Sequence, residues 1–301
     1  MFTCLIDGKE FETELALHTH IARRLKTRIK DYYQKFFPRK DLLTGDSIEF
    51  KDKVHYFSSL FNSRKNLIEF LTTTPSQEVI AEVIKLRAEL KSLKLAPSTV
   101  EARTSVLPSP ALVAKLGYDY NQICQNLGLV TRYRYDCVPV MRGGEMGVVV
   151  DTREQKPLEL DAECVRSKLD FGDYVSTTHY HKVFIERKSM SDFCVTLSSG
   201  YQRLHREIAR ANNMSAYLII CIEGKFSDLE LIGNTAETIH VGANPELFGA
   251  RVREICQQYE HVQFVFADSR QRMTKVVESI FRMGEMAKQL DLQYCFDMKI
   301  I

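Results

Sequence analysis

Three stretches decide how this 301-residue chain reads: Val148–Glu154, VVVDTRE; Phe171–Tyr174, FGDY; and Ile185–Asp192, IERKSMSD. The first and third are apolar runs or ends of runs closed by charged residues, the pattern of buried strands that leave a core at a polar site. Alternate side chains on a strand share a face. Glu186 and Lys188 are therefore expected to project together while Arg187 points the other way. Asp173, at the edge of the preceding strand, can complete the group. Two carboxylates ~5 Å apart repel by about 3 kcal/mol at an effective dielectric near 20, so such a cluster wants a cation. Carboxylate oxygens suit Mg²⁺, with Mn²⁺ as a substitute. The chemistry that demands this set is phosphodiester hydrolysis by metal-activated water, with a lysine to orient or deprotonate the water and stabilise developing charge.

Glu-x-Lys by itself says little, because it occurs at Glu49/Lys51, Glu89/Lys91, Glu154/Lys156, Glu186/Lys188 and Glu223/Lys225. Context selects Glu186/Lys188, which closes an apolar strand thirteen residues after Asp173 and has Asp151, Glu154 and Asp192 in company. A surface ion-pair network would explain neither this order nor the strand context.

The order Asp-x-x-Glu, Gly-Asp, Glu-Arg-Lys-x-x-x-Asp, carried by Asp151, Arg153, Glu154, Gly172, Asp173, Glu186, Arg187, Lys188 and Asp192, resembles the signature of the XPF family of structure-selective endonucleases. That family is a branch of the restriction-endonuclease-like nucleases. The resemblance covers roughly residues 147–290. It implies a divalent-metal-dependent endonuclease acting on branched DNA such as flaps, forks or junctions. By the resemblance, Asp173 and Glu186 would be metal ligands and Lys188 the catalytic lysine. Asp151 and Glu154 would add to the acidic site, Asp151 as a further metal ligand. Arg187 and Asp192 would orient ligands or phosphate. Members of the family often carry paired helix-hairpin-helix motifs after this domain. About eleven residues follow the last helix expected here, so DNA contact is expected from the N-terminal part instead. A homodimer through the nuclease domain is also expected.

Around the signature, strands are expected at Val148–Thr152, Tyr174–Val175, Val183–Lys188, Ala216–Glu223 and Val262–Ala267. Helices are expected at Met190–Leu197, Gln202–Asn212, Pro245–Tyr259 and Gln271–Leu290, with start signals at Asn244-Pro245 and at Asp268 with Gln271. The fold class is an α/β restriction-endonuclease-like domain, a mixed sheet flanked by helices, after a mainly helical N-terminal region. Three parts follow: 1–73, basic, zinc-finger-like and helical; 74–140, a helical linker or small module; and 141–301, the nuclease domain.

Net charge divides unevenly. Residues 1–140 contain 21 Lys/Arg and 16 Asp/Glu, whereas 141–301 contain 20 and 23. Ile21–Lys40 holds eight basic residues against Asp31 alone, a density that suits phosphate contact or a solvated helix face. Leu17, Ile21, Leu25 and Ile29 recur every four residues towards Tyr32, Tyr33 and Phe36, which predicts one amphipathic helix. Arg23, Arg24, Lys26, Arg28 and Lys30 lie off its apolar stripe and are candidate DNA contacts. Arg132 and Arg134 join them through a weak helix-turn-helix-like pattern at 111–128, as do Arg203 and Arg206 on a basic helix face. A salt bridge to Glu207 is the plainer reading of that last face.

Cys4, Gly8, Lys9, Phe11, Leu17 and His20 match the spacing of a two-Cys-two-His zinc finger. Asp7 stands in the second cysteine position and Arg24 or Leu25 in that of the last histidine. With Asp7 or His18 as substitutes for the missing ligands, a degenerate finger held by its apolar core is expected. Zn²⁺ at Cys4/His20 is not expected, because structural zinc takes a closed four-ligand set. Thr74, Pro75 and Gln77 mark a helix start, and Pro97–Pro110 reads as a linker. His179 and His181 read as solvated loop residues.

Hydrophobic residues at 45% and charged residues at 27% exclude a fully disordered chain. The apolar run Ala216–Ile222 is far short of the ~20 residues a membrane span needs. The opening MFTCLIDGKEFETE turns acidic too soon for a secretory leader. Eight cysteines without a Cys-x-x-Cys pair suit a reducing, intracellular setting, cytoplasmic if the source is prokaryotic or viral. Two rival functions stay open at this point: an inert DNA-binding or architectural protein on the same fold, and an endonuclease guided to a sequence by its N-terminal modules.

Overall fold

The computed structural model describes residues 2–38, 76–91, 93–104, 107–137, 139–231 and 245–301. The expected starts at Thr74-Pro75 and Asn244 lie outside these residues. The chain forms two compact units, Met1–Ala96 with Ser105–Val130, and Pro97–Thr104 with Thr131–Ile301.

In the first unit, β1 (Phe2–Thr3) and β2 (Glu10–Phe11) form an antiparallel hairpin, followed by α1 (Glu14–Arg23) and α2 (Ile29–Phe36). Thr13 caps α1, its side-chain oxygen accepting from Ala16 N–H. The single helix expected over Leu17–Phe36 is thus two. The break at residues 24–28 passes through Lys26 at φ +52°, which reverses the chain so that both helices pack on one core of Cys4, Leu17, Ile21, Tyr32 and Tyr33. Beyond it lie α3 (Gln77–Lys91), α5 (Pro110–Lys115) and α6 (Tyr120–Asn126), and α3 packs on α6. Gly117 and Gly128, at φ +85° and +75°, follow the ends of α5 and α6 in the left-handed conformation that closes a helix.

The second unit begins with α4 (Thr99–Thr104), which corrects the linker reading of Pro97–Pro110. Thr99 N–H donates to the buried Asp291 carboxylate, and buried Glu101 pairs with Arg132 and accepts from Gln257. These partners are distant in sequence, which is why the stretch reads locally as a spacer.

The sheet has six strands in the order β4-β3-β5-β6-β7-β8. They are β3 (Gly147–Asp151), β4 (Glu163–Ser167), β5 (Tyr174–Ser176), β6 (Val183–Ser189), β7 (Tyr217–Glu223) and β8 (Val262–Phe266). β6, β7 and β8 run parallel, whereas β5 is antiparallel to both β3 and β6. The five expected strands are present, and β4, exposed along its whole length, is the addition. α7 (Met190–Leu197), α8 (Tyr201–Asn213), α9 (Phe226–Leu231), α10 (Pro245–Gln258), α11 (Arg270–Met283) and α12 (Leu292–Asp297) complete the unit. α11 gives way at Gly284 to a 3-10 turn over Gly284–Gln289, so the helix expected to Leu290 ends early.

Parallel strands buried on both faces need near-continuous apolar runs. Leu218, Ile219, Ile220, Cys221 and Ile222 of β7 are fully buried, and Phe193, Leu204, Phe248 and Val252 pack in the same core from α7, α8 and α10. Each such side chain contributes roughly 1.5–3 kcal/mol by leaving water. This core fixes β6 beside β7 and so fixes the charged end of β6. Among the described residues no helix is long and apolar enough to cross a membrane.

Candidate active site

The register that pairs Glu186 with Ile220 and Lys188 with Ile222 brings β6 out of the core with charge on both faces. On one face the Lys188 ammonium donates to Glu186 Oε1 at 2.6 Å, both side chains being about nine-tenths buried. On the other, Arg187 donates to both oxygens of Glu154, at 3.1 and 3.3 Å, and to Glu223 at 3.1 Å. The alternation expected of a strand holds.

Asp173 enters from the residue before β5. Its N–H donates to the Ile185 carbonyl at 2.7 Å, and its Oδ2 accepts from Arg187 N–H at 2.7 Å. The preceding Gly172, at φ +70°, lies so close to β6 that a Cβ would meet the Ile185 carbonyl oxygen at 3.1 Å. Glycine is therefore what lets the chain turn the Asp173 carboxylate inward.

Burial raises the Asp173 carboxyl to about 6. The Arg187 N–H opposes that shift and the Glu154 charge adds to it. Burial and the Asp173 charge raise Glu186 to about 7, with Lys188 opposing and Glu207 adding. Lys188 is held above its ordinary value. Burial pulls it down, but the charge of Glu186 and its hydrogen bond, with Glu207 and Asp173, outweigh that pull. It is therefore held in its cationic form beside Glu186.

Glu207 is the site residue that sequence alone assigns to a helix salt bridge. It lies on α8 and its Oε1 accepts from Gly172 N–H at 3.4 Å, while its charge reaches both Glu186 and Lys188. Its place in the sequence carries a signal: it is three residues after buried Leu204 and one before buried Ile208, so it borders the helix's packing face.

The other expected site residues divide. Asp151, fully buried, accepts from Arg153 through its N–H, Nε and Nη2 and from Leu169 N–H, at 2.6–3.0 Å. Despite burial, those bonds hold it below its ordinary value. Glu154, also buried, is held low by Arg187 and the Lys156 N–H. Asp192 lies in the first turn of α7, where its N–H donates to the capping Ser189 hydroxyl at 3.1 Å and its Oδ2 accepts from that hydroxyl at 2.7 Å. His179 is buried against Gly284, contrary to the solvated reading, whereas His181 is exposed.

Of the basic residues, Arg23, Arg24, Lys26 and Arg28 are exposed, and Lys30 is half-buried. Arg23 and Arg24 border a shallow groove of about 590 Å³ with Thr13 and Thr19, and Arg28 pairs with Asp31 at 2.7 Å. Arg203 and Arg206 are exposed on α8. Arg134 is exposed and pairs with Asp136. Arg132 is corrected: its side chain is buried, paired with Glu101 and donating to the Cys256 carbonyl, so it serves the core rather than a phosphate.

The absence of zinc expected at Cys4/His20 is also corrected. Cys4, Asp7 and His20 each place one ligand atom within 4.8 Å of the others, a cluster compatible with Zn²⁺. The degenerate finger has kept the geometry of its ligand corner.

Residues 150–280 match a family model described as the ERCC4 domain. Together with the sheet and the Gly-Asp and Glu-Arg-Lys placements, the match makes this part of the chain an ERCC4/XPF-family nuclease-like domain of the restriction-endonuclease-like class. Two similar solved structures are XPF from Aeropyrum pernix, 21% identical with a TM-score of 0.35, and the same protein in complex with DNA, 20% identical with a TM-score of 0.34. The first alignment covers 46% of this chain and 60% of the other, the second 48% and 65%, so the chain spans less than two thirds of either. None of the curated proteins matches.

Proposed function

We propose that the protein is a divalent-metal-dependent DNA endonuclease, acting on branched DNA such as flaps, forks or junctions. The observation that carries this reading is the buried convergence of Asp173, Glu186 and Lys188 at the open end of β6. Raised carboxyl values at Asp173 and Glu186 mean that burial and mutual charge leave these oxygens short of positive partners. An all-oxygen donor set of this kind fits a hard cation of the Mg²⁺ type.

Asp173 and Glu186 would hold the cation, with Glu207 beside them. When bound, the cation would supply Lewis-acid activation of water and of the phosphate. Arg187 N–H fixes the Asp173 carboxylate, and Gly172 fixes the backbone that presents it. Lys188, anchored by Glu186, places a buried ammonium where negative charge grows on a phosphate oxygen during attack. Asp151 is already engaged by Arg153 and Leu169, and we assign it to holding the loop after β3 rather than to the cation. Exposed Arg203 and Arg206 on α8, and Arg23, Arg24 and Lys26 in the N-terminal module, are the proposed phosphate contacts.

The deciding experiment is cleavage of labelled linear duplex, single-stranded, flap, fork and four-way-junction DNA with Mg²⁺ or Mn²⁺, with EDTA and Glu186→Ala as controls. Metal-dependent cutting that favours a branch and disappears in the variant is expected. Binding without cutting under either metal would overturn the enzyme reading, and equal cutting of every substrate would overturn the branched preference.

A further inference from the structure

The Cys4–Asp7–His20 corner lies outside the nuclease reading. Gly8, at φ +72°, turns the hairpin tightly, with Cys4 N–H donating to the Lys9 carbonyl and Gly8 N–H to the Cys4 carbonyl, both at 2.7 Å. That turn sets Asp7 over Cys4. Helix α1, seated by buried Leu17 and Ile21, swings His20 to meet them, and His20 Nε2 lies 2.9 Å from Asp7 Oδ2. The Phe11 ring packs on the imidazole at 4.9 Å between centroids and closes one side. Cys4 is wholly buried and the His20 side chain is nine-tenths buried, while Asp7 keeps a quarter of its side chain in solvent.

We propose that Cys4 Sγ, Asp7 and His20 Nε2 bind one Zn²⁺ per chain, with the fourth coordination position left to water. Among the described residues, no other Cys, His, Asp or Glu joins the three. His18 is turned away to Tyr33 Oη at 2.8 Å, and arginine at position 24 is no ligand. On binding, the Cys4 thiol releases its proton to solvent and His20 binds as the neutral imidazole. One thiolate and one carboxylate then balance the dication, which lowers the cost of holding it in a largely buried site. The donor set of sulfur, nitrogen and one oxygen is that of zinc rather than of Mg²⁺ or Ca²⁺. Asp7 thus acts as a true replacement for the missing cysteine, supplying the same charge without a second thiol.

This module differs from a finger that zinc alone holds together. Tyr32 and Tyr33, fully buried from α2, give it an apolar core of its own. Zinc should therefore raise the stability of an already folded module, and the open position should make the metal exchangeable.

The test is metal content and Co²⁺ spectroscopy on the full chain, purified under reducing conditions. Expected are one zinc per chain and, with Co²⁺, a thiolate-to-metal charge-transfer band. Cys4→Ser should remove the band. His20→Asn, a milder change at the edge of the core, should weaken Zn²⁺ binding by at least the roughly 10–100-fold that loss of a mere outer partner costs. Thermal scans in Zn²⁺ should show a rise in Tm for the wild type that both variants lack, and circular dichroism without metal should show His20→Asn still folded. Cys164→Ser, at the exposed thiol of β4, should leave metal content unchanged. No zinc and no Co²⁺ band, or zinc retained by His20→Asn, or zinc lost by Cys164→Ser, would each overturn the proposal.

Discussion

The two faces of β6 carry similar charges in opposite states. On one, Arg187 answers Glu154 and Glu223, and the Glu154 carboxyl is held below its ordinary value. On the other, three carboxylates, Asp173, Glu186 and Glu207, share one ammonium, and the carboxyls of Asp173 and Glu186 are raised. A strand buried at its root forces both sets to the same sheet edge, so the contrast is built by alternation alone. The satisfied face contributes structure. The other face holds carboxyls that burial and neighbouring charge raise, the ones to which the proposed function assigns a cation.

The largest expected effect is on the unsatisfied face. Lys188→Ala should lower cleavage by roughly 10²–10³-fold or more, as loss of one preorganised charge stabiliser does, while leaving DNA affinity nearly intact. Single-turnover rates and equilibrium binding measured side by side would check it, and equal losses in both would erase the distinction between the faces. Next comes Arg187→Ala. It strands two carboxylates, one of them buried, and should cost about 3 kcal/mol of folding stability, read from urea unfolding. A cost under about 1 kcal/mol would mean that the satisfied face is not structural.

Titration separates the faces by sign. A lowered carboxyl such as Glu154 contributes stability above its unfolded value, and that stability is lost as pH falls through the folded one. Raised carboxyls act in reverse: ionising Asp173 and Glu186, raised to about 6 and about 7, removes stability as pH climbs from about 4 towards 7. In EDTA, the wild type should therefore lose stability relative to Glu186→Gln across that window, and added Mg²⁺ should recover it. Parallel urea midpoints for the two proteins at every pH would sink this account. The smallest effect should come from the N-terminal module. Changing Arg23, Arg24 and Lys26 to Gln should weaken DNA binding and shallow its salt slope by about one unit for each phosphate no longer neutralised, with the cleavage rate of bound DNA unchanged.

The sequence reveals what depends on neighbours in the chain. The apolar runs and their charged ends make β3, β6 and β7 legible, and the Gly-Asp and Glu-Arg-Lys spacing makes Asp173, Glu186 and Lys188 legible. What escapes depends on distant partners. Arg132 reads as basic surface because its counter-charge, Glu101, is thirty-one residues away on a stretch that itself reads as linker. β4 escapes because an edge strand with every residue exposed has no apolar pattern to announce it. The break between α1 and α2 escapes because Leu25 and Ile29 continue the apolar repeat across it, and both still pack on the same core. Counting ligands argues against zinc, whereas the hairpin turn shows how few residues keep the corner intact.

Arg187 belongs to both faces at once. Its amide fixes the Asp173 carboxylate while its guanidinium grips Glu154 and Glu223, and Glu223 is gripped in turn by Arg270 from α11. The single residue works as a rivet through the sheet, so tension on the back plate reaches the front. Substitutions at Glu223 or Arg270 should therefore shift the aim of Asp173 without touching it, a coupling that the surroundings of these two positions would never reveal.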